Sequence, residues 1–313
     1  MAGTASSQLR SAFVVETTPG TTPTTPAFKT LHTPALFTGE VQRFHQSSQV
    51  AGGADIGDAK LTAPAVGKIT NAPIVYGLYD SVLESLLQST FTTNVLLDGK
   101  ARQCMSFENA APAGIGGANT MMRYVGVEAI NGTIQADARG KVTFSADLLG
   151  MASVDATTTA ISGATYTDPA NNDPFASNAD LGAVTFAGYT LDGIASLTVN
   201  LTYTGRDGQP VIGGDALAGI ARGALTPTIT IKAYVDANFM AAYNAARVNN
   251  QTAAKLTINL GSVTGKKYKL EFWNCYTDAA PLDFTGNNAF VTITLNAAYS
   301  QANSGVLTLT RAL

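Results

Sequence analysis

Residues 197–203 read Leu-Thr-Val-Asn-Leu-Thr-Tyr, apolar at Leu197, Val199, Leu201 and Tyr203 and polar at Thr198, Asn200 and Thr202. Successive side chains of a strand point to opposite faces, so this period of two dictates an antiparallel strand with one face buried and the other wet. Ile229, Ile231, Ala233 and Val235 repeat the pattern against Thr228, Thr230 and Lys232. Val291, Ile293, Leu295 and Ala297 do so against Thr292, Thr294 and Asn296. A hairpin is predicted where Ile134-Gln135-Ala136 runs into Asp137–Gly140 and returns through Val142 and Phe144. From Leu36 onward the chain reads as strands separated by glycine-rich gaps, which makes the fold class all-β with minor α.

Helical spacing is confined to two segments. Leu78, Val82, Leu86 and Leu87 fall on one face, and Ser81-x-x-Glu84 reads as a capping box at its start. Val235, Phe239, Met240 and Tyr243 recur at helical steps, followed by Ala246, with helix-forming Ala in the intervening positions. Both stripes are expected to pack onto a sheet.

Hydrophobic residues make up 45% of the 313, as in folded proteins, whereas charged residues are only 13%, about half the usual share of roughly 25%. A surface so poor in charge and so rich in Thr, Ser, Asn, Gly and Ala suits β-structure that copies of itself cover. Lys+Arg 19 against Asp+Glu 22 gives net -3, so there is no basic footprint of a nucleic-acid binder. Met1–Arg10 lacks the basic and apolar regions of a signal peptide. No stretch reaches the ~18 continuous apolar residues of a membrane span. The chain is expected to be made and folded in a cytoplasm, without a membrane anchor. Cys104 and Cys275, far apart and outside any CxxC pair, read as buried free thiols. In that compartment the sequons at Asn131 and Asn200 are accidental.

Candidate chemical motifs fail one by one. Gly114-Ile115-Gly116-Gly117 lacks the Lys-Ser/Thr ending of a phosphate loop, and no helix is predicted after it. Asp168–Asp173 clusters oxygen ligands but lacks the alternating spacing and terminal Glu of a calcium loop, so it reads as a turn-rich connection. His32 and His45 are the only imidazoles, neither lies in a nucleophile context, and GxSxG is absent. Trp273, beside Phe272 and Tyr276, reads as a core or interface aromatic ahead of a sugar platform. No catalytic, cofactor-binding or metal-ligating residue is assigned, no cofactor is expected, and the chain does not read as an enzyme.

The order of elements repeats. Strand, glycine-rich loop, strand, helix and further strands occupy 36–150 and again 194–311. One separation carries Gly52-Gly53 to Gly213-Gly214 and Thr133–Ala136 to Thr294–Ala297, and a slightly longer one carries Val142–Phe144 to Val306–Thr308. A nearly constant separation is the mark of internal duplication. The expected organisation is an extended N-terminal arm over 1–30, holding the ETTPGTTPTTP run of 16–26. A first unit over 31–150, a linker over 151–185 and a second unit over 186–313 follow, with the Asp168–Gly182 stretch inside the linker.

Several stretches resemble the major tail tube proteins of long non-contractile-tailed bacteriophages. They are Glu16–Pro23, Val66–Thr70 leading into Tyr76–Asp80 and a Leu-rich helix, Tyr124–Glu128 followed by a hairpin ending in Asp147–Gly150, and Phe290–Ala298 with Leu307–Arg311. The resemblance covers most of the chain. It implies a β-sandwich or half-barrel with a flanking helix, here in two tandem copies, in place of a separate immunoglobulin-like C-terminal decoration. It implies self-association into rings that stack into a tube, trimeric (pseudo-hexameric) if each chain holds two units and hexameric if one, with three favoured. Tape-measure protein and genome DNA would pass through the bore, terminator and baseplate proteins would sit at its ends, and the location would be the virion tail. By the same resemblance the glycine-rich loops 46–62 and 205–222 reach the adjacent ring, and the 16–26 arm is placed across a neighbour. Both segments have too little apolar patterning to order alone, so they are expected to order on assembly. DNA must slide without sticking, so a polar or mildly acidic lining with a negative lumen potential is predicted. Two other readings stay open at this point: another tail component with this fold, such as a terminator or baseplate hub, and a β-sandwich carbohydrate-binding or adhesin module.

Overall fold

The computed structural model describes residues 8–39, 43–45, 58–60, 64–112, 119–171, 173–214, 216–248, 254–277, 282–283 and 290–313. In the first half β1 (Arg10–Val15) pairs with β2 (Ala27–Thr30), β3 (Leu36–Gly39) precedes the hairpin β4 (Arg43–His45) and β5 (Asp58–Lys60), and β6 (Ala65–Pro73) leads to α1 (Asp80–Leu87). Then come β7 (Val95–Leu97), β8 (Met105–Ala111), the long β9 (Thr120–Asp137), β10 (Thr143–Gly150), β11 (Ala152–Thr157) and β12 (Thr165–Thr167). α2 (Ser177–Asp180) connects to the second half. There β13 (Leu181–Phe186), β14 (Tyr189–Leu191), β15 (Ile194–Thr204), β16 (Gly208–Gln209), β17 (Gly219–Ile220) and β18 (Ala224–Tyr234) lead to α3 (Ala237–Val248). β19 (Ala254–Leu260), β20 (Tyr268–Cys275), β21 (Leu282–Asp283), β22 (Phe290–Asn296) and β23 (Leu307–Arg311) complete it. The fold is all-β with minor α.

The halves share one pairing scheme. The order β2-β1-β8-β9 in the first is matched by β14-β13-β19-β20 in the second, and β11 lies on β9 as β23 lies on β20. β3-β6-β10 is matched by β15-β18-β22, each followed by its helix after the middle strand's place in sequence. The register shift at Met105/Phe107 in β8·β9 recurs at Ala254/Leu256 in β19·β20, which sets Tyr124 against Phe272 and Val127 against Cys275 as counterparts. β22 therefore answers to β10 and β23 to β11, not to β9 and β10 as the constant separation predicts. The reason is that 17 residues, β7 among them, join α1 to β8 whereas five join α3 to β19, so the separation falls between each helix and the strand that follows it. Alternating Thr-apolar strings fit any of these strands and cannot tell them apart.

Both predicted hairpin and alternations are present. β9 and β10 meet at the Asp137–Gly140 turn, closed by Gly140 N–H to Asp137 O at 3.0 Å, with Arg139 at φ 69. The buried phase of β15, β18 and β22 is Leu197/Val199/Leu201, Ile229/Ile231/Ala233 and Val291/Ile293/Leu295. Val235 is in neither β18 nor α3 and is half exposed. The α1 capping box does not form: Tyr79 is the N-cap without a side-chain bond, and Glu84 instead accepts from Phe91 N–H at 2.9 Å. The signal at α3 is Asp236, whose carboxylate accepts from Phe239 N–H at 2.6 Å, a side-chain cap of the kind that stabilises helix starts. α1 packs on β9, where Gly132 leaves room for Leu86, and Phe239 of α3 is wholly buried.

The 16–26 run is not a free arm. Its flanks form the β1–β2 hairpin, and β1 is paired along its whole length with β8. Buried Glu16 fixes the run's start, accepting from Gly20 N–H (2.7 Å), Ser106 Oγ (2.6 Å) and Gly126 N–H (2.9 Å). Proline excluded helix here correctly, but side-chain acceptors that bind backbone N–H groups gave the segment partners within its own chain. Within 151–185, β11, β12, α2 and most of β13 lie in sheets or helix.

Candidate functional site: a polar sheet face between open edges

β15 and β18 extend the sheet begun by the first half: β15 pairs with the C-terminal part of β9 on one side and β18 on the other. Register then places like beside like. Thr143, Gln135, Thr198, Thr230 and Thr294 stand side by side across β10, β9, β15, β18 and β22. Ser145, Thr133, Asn200, Thr228 and Asn296 form the next row. Between them, on the other face, Phe144, Ile134, Val199, Ile229 and Leu295 form a buried row. A polar period of two on each strand thus becomes a continuous hydroxyl and amide face, because in-register antiparallel pairing aligns the phases.

In the second row two pairs of polar groups bond to each other. Thr133 Oγ1 donates to Asn200 Oδ1 at 3.0 Å and Thr228 Oγ1 to Asn296 Oδ1 at 3.2 Å. Four of the face's charges are engaged locally: Lys68 with Asp147 at 3.2 Å, Lys232 over the Phe290 ring at 4.6 Å, and Asp137 accepting from Gln135 at 2.7 Å.

The sheet has two edges. Among the described residues β3 pairs only with β6, and Leu36 on it is 61% exposed; at the other end β21 pairs, among the same residues, only with β22. Unpaired edges are templates for another strand.

A buried ionic cluster holds the halves together. Glu128 of β9, fully buried, accepts from Arg102 Nε (2.8 Å), Arg206 Nη2 (3.1 Å) and Arg222 Nη2 (2.8 Å). Arg206 also donates to the carbonyls of Leu86 and Ser85 at the end of α1, both at 2.9 Å, and burial lowers its basicity. Leu217 N–H bonds to Met151 O at 3.0 Å. The 205–222 loop, expected to reach another ring, is folded onto the first half of its own chain. Sequence reading missed this cluster. Its signal was an acidic residue inside the apolar run Val127-Glu128-Ala129, in a chain with few charges to pair it.

The residues singled out from sequence stay apart. Cys104 and Cys275 are buried and free, both thiols pushed up to about 12 by burial, with Glu128 adding to the effect at Cys104. Such thiols are poor nucleophiles. His32 is exposed with Nε2 3.3 Å from Asn171 O. The strand residue His45 has no described side chain, and Gly114–Gly117 and most of loop 46–62 lie outside the described residues. In the 168–173 stretch Asp168 accepts from Thr30 Oγ1 at 2.6 Å and Asn171 from Lys266 at 2.8 Å, so these oxygens already serve the fold. Trp273 donates to Thr308 Oγ1 at 3.1 Å under Lys255. Among the described residues there is no His/Cys/Asp/Glu group placed to hold a metal, and no helix is long and apolar enough to cross a membrane.

What the fold offers is an extended polar sheet face with strand edges open among the described residues, which fits a structural β-protein. The sequence model of the phage tail tube protein family matches residues 6–300, and the chain belongs to that family: it is a structural tail tube protein, a component of the virion tail. No curated protein matches it.

Proposed function

We propose that copies of this chain close into rings that stack into a tube, with the Thr/Asn face lining the channel through which genome DNA reaches the host. The observation that carries this reading is the pair of in-register polar rows, one of them with two side-chain bonds along it, bounded by strand edges unpaired among the described residues. DNA carries one negative charge per ~1.7 Å of axis and is held by clustered Lys or Arg. Uncharged hydroxyls and amides, two pairs of them already bonded to each other, give phosphates little to bind. By register the face carries Lys68 and Lys232 against Asp137, Asp147 and Asp283, the last opposite Phe290, so the bore is proposed as mildly negative.

The shared pairing scheme supports two tandem tube units, the first from β1 through β11 and the second from β13 through β23, with β12 and α2 in the linker. Three chains then give a pseudo-sixfold ring. Tape-measure protein fills the bore before DNA, terminator and baseplate proteins close its ends, the chain is made in the bacterial host cytoplasm, and no catalytic activity is involved. Negative-stain electron microscopy across a concentration series, with light scattering, tests this. Hollow tubes with a ring mass of three chains are expected; single rings that never stack, or monomer throughout, overturn it.

A further inference from the structure

The junction between the halves is itself a model of the junction between chains. Inside the chain the C-terminal part of β9 pairs antiparallel with β15, Ile134 opposite Val199 and Gln135 opposite Thr198. The counterpart of β15 is β3, and that of the C-terminal part of β9 is β21. The matching register shifts fix the residues: Val127 corresponds to Cys275, so Ile134 corresponds to Leu282. On the other side, Ile134 opposite Phe144 corresponds to Leu282 opposite Val291, and Val199 opposite Ile229 corresponds to Phe37 opposite Gly67. Burial agrees, since Phe144, Ala146 and Leu148 map onto Val291, Ile293 and Leu295 with every member buried.

We infer that the β21 edge of one chain pairs antiparallel with the β3 edge of a second copy, Leu282 opposite Phe37 and Asp283 opposite Leu36, repeating the β9·β15 junction. This rests on the ring proposed above and adds which edges meet and in what register. The second copy is the fitting occupant because the chain already contains the complementary pair of edges in covalent form. Apolar exposure points the same way: Leu36 is 61% exposed and Tyr276, next to Cys275, is 42% exposed. The copies differ in one respect. Glu128 follows Val127, whereas Tyr276 follows Cys275, so the arginine-bound carboxylate of the internal junction has no counterpart between chains. The internal junction is locked by charge; the external one relies on edge hydrogen bonds and apolar cover, which suits a contact that must form on assembly.

Directly opposed residues of antiparallel strands have Cα atoms ~4.5–5.5 Å apart, within disulfide range. The double variant Leu36→Cys/Asp283→Cys, assembled and oxidised, is expected to give covalent multimers on a non-reducing gel, while Thr38→Cys/Asp283→Cys, displaced by one pair on the same face, gives several-fold less. In the unmodified protein, hydrogen exchange at residues 36–39 and 282–283 is expected to slow at least tenfold on assembly. Rings or tubes that form without the cross-link and without that protection overturn the register while leaving the ring standing. A stronger cross-link from the displaced pair overturns it too. Absence of rings and tubes at every concentration overturns the reading beneath it. The largest covalent species, three or six chains, reports ring size separately.

Discussion

Replacing Glu128 with Gln keeps its shape and removes the carboxylate that three guanidinium groups share. The Glu128 side chain is 0% and the Arg206 side chain 1% exposed, so neither can recover hydration in place. Arg206 Nε already lacks a partner, and its remaining bonds go to the α1 carbonyls. Breaking a buried pair by removing one member costs about 3–5 kcal/mol, because the other charge is left uncompensated. Arg102 and Arg222, 28% and 26% exposed, can turn partly to water, so Arg206 carries most of the loss. For a protein of this size each kcal/mol moves Tm by roughly 2–4 °C, giving a drop on the order of 10 °C. Thermal melts by circular dichroism measure that drop, and limited proteolysis within 205–223 should accelerate with it. Adding Arg206→Met to Glu128→Gln should restore part of the stability, since no buried charge then lacks its partner. A single variant melting within about 2 °C of the parent, with the loop as resistant as before, would refute the reasoning.

Three further outcomes follow from the same structure. Gly67→Ala places a Cβ 2.4 Å from the Phe37 ring, which stacks on Tyr124 at 4.3 Å; chemical denaturation should show a loss of about 1–3 kcal/mol from overpacking, and no loss would mean that β3 yields freely. At Asp180 burial alone would raise the pKa, but bonds from Ser262 Oγ and from the Ala176 and Ser262 N–H groups bring it below its ordinary value; Glu271, paired with Lys255 and Lys269 against the same effect of burial, is lowered too. Carboxylates lowered on folding contribute stability above their unfolded pKa, about 4, and lose it as pH falls through the folded value. Carboxyl NMR titration should give midpoints below those of model peptides, and midpoints at or above them would contradict the assigned bonds. Thr230→Lys on the polar face should change stability by less than about 1 kcal/mol yet make assembled tubes retain DNA at low salt and release it as salt rises. Equal retention by parent and variant in a filter assay would remove that face from the bore.

How far the sequence carried can be read from particular residues. The alternation at Leu197–Tyr203, Ile229–Ala233 and Val291–Leu295 determined strand, buried phase and polar phase, because pleating makes face a local property of every second residue. The same local logic placed the two helical stripes, although it misjudged the cap of the first: a cap depends on whether a side chain reaches a particular N–H, and Glu84 finds that of Phe91 instead. Family membership was legible as well, through an ordered series of strands and turn residues along nearly the whole chain. Which strands neighbour one another was not legible. Thr-apolar strings fit β9, β10 and β22 alike, so a constant separation matched the wrong pairs, and only hydrogen-bond register told them apart. Glu128 and its arginines lie 78 and 94 residues apart in the case of Arg206 and Arg222, a separation across which no local pattern operates. The sequence by itself settled what each segment could be, since that follows from near-neighbour sterics and hydrophobic phase. The tertiary structure alone decided which edges were joined and which were left open, because long-range pairing is chosen by the packing of the whole chain.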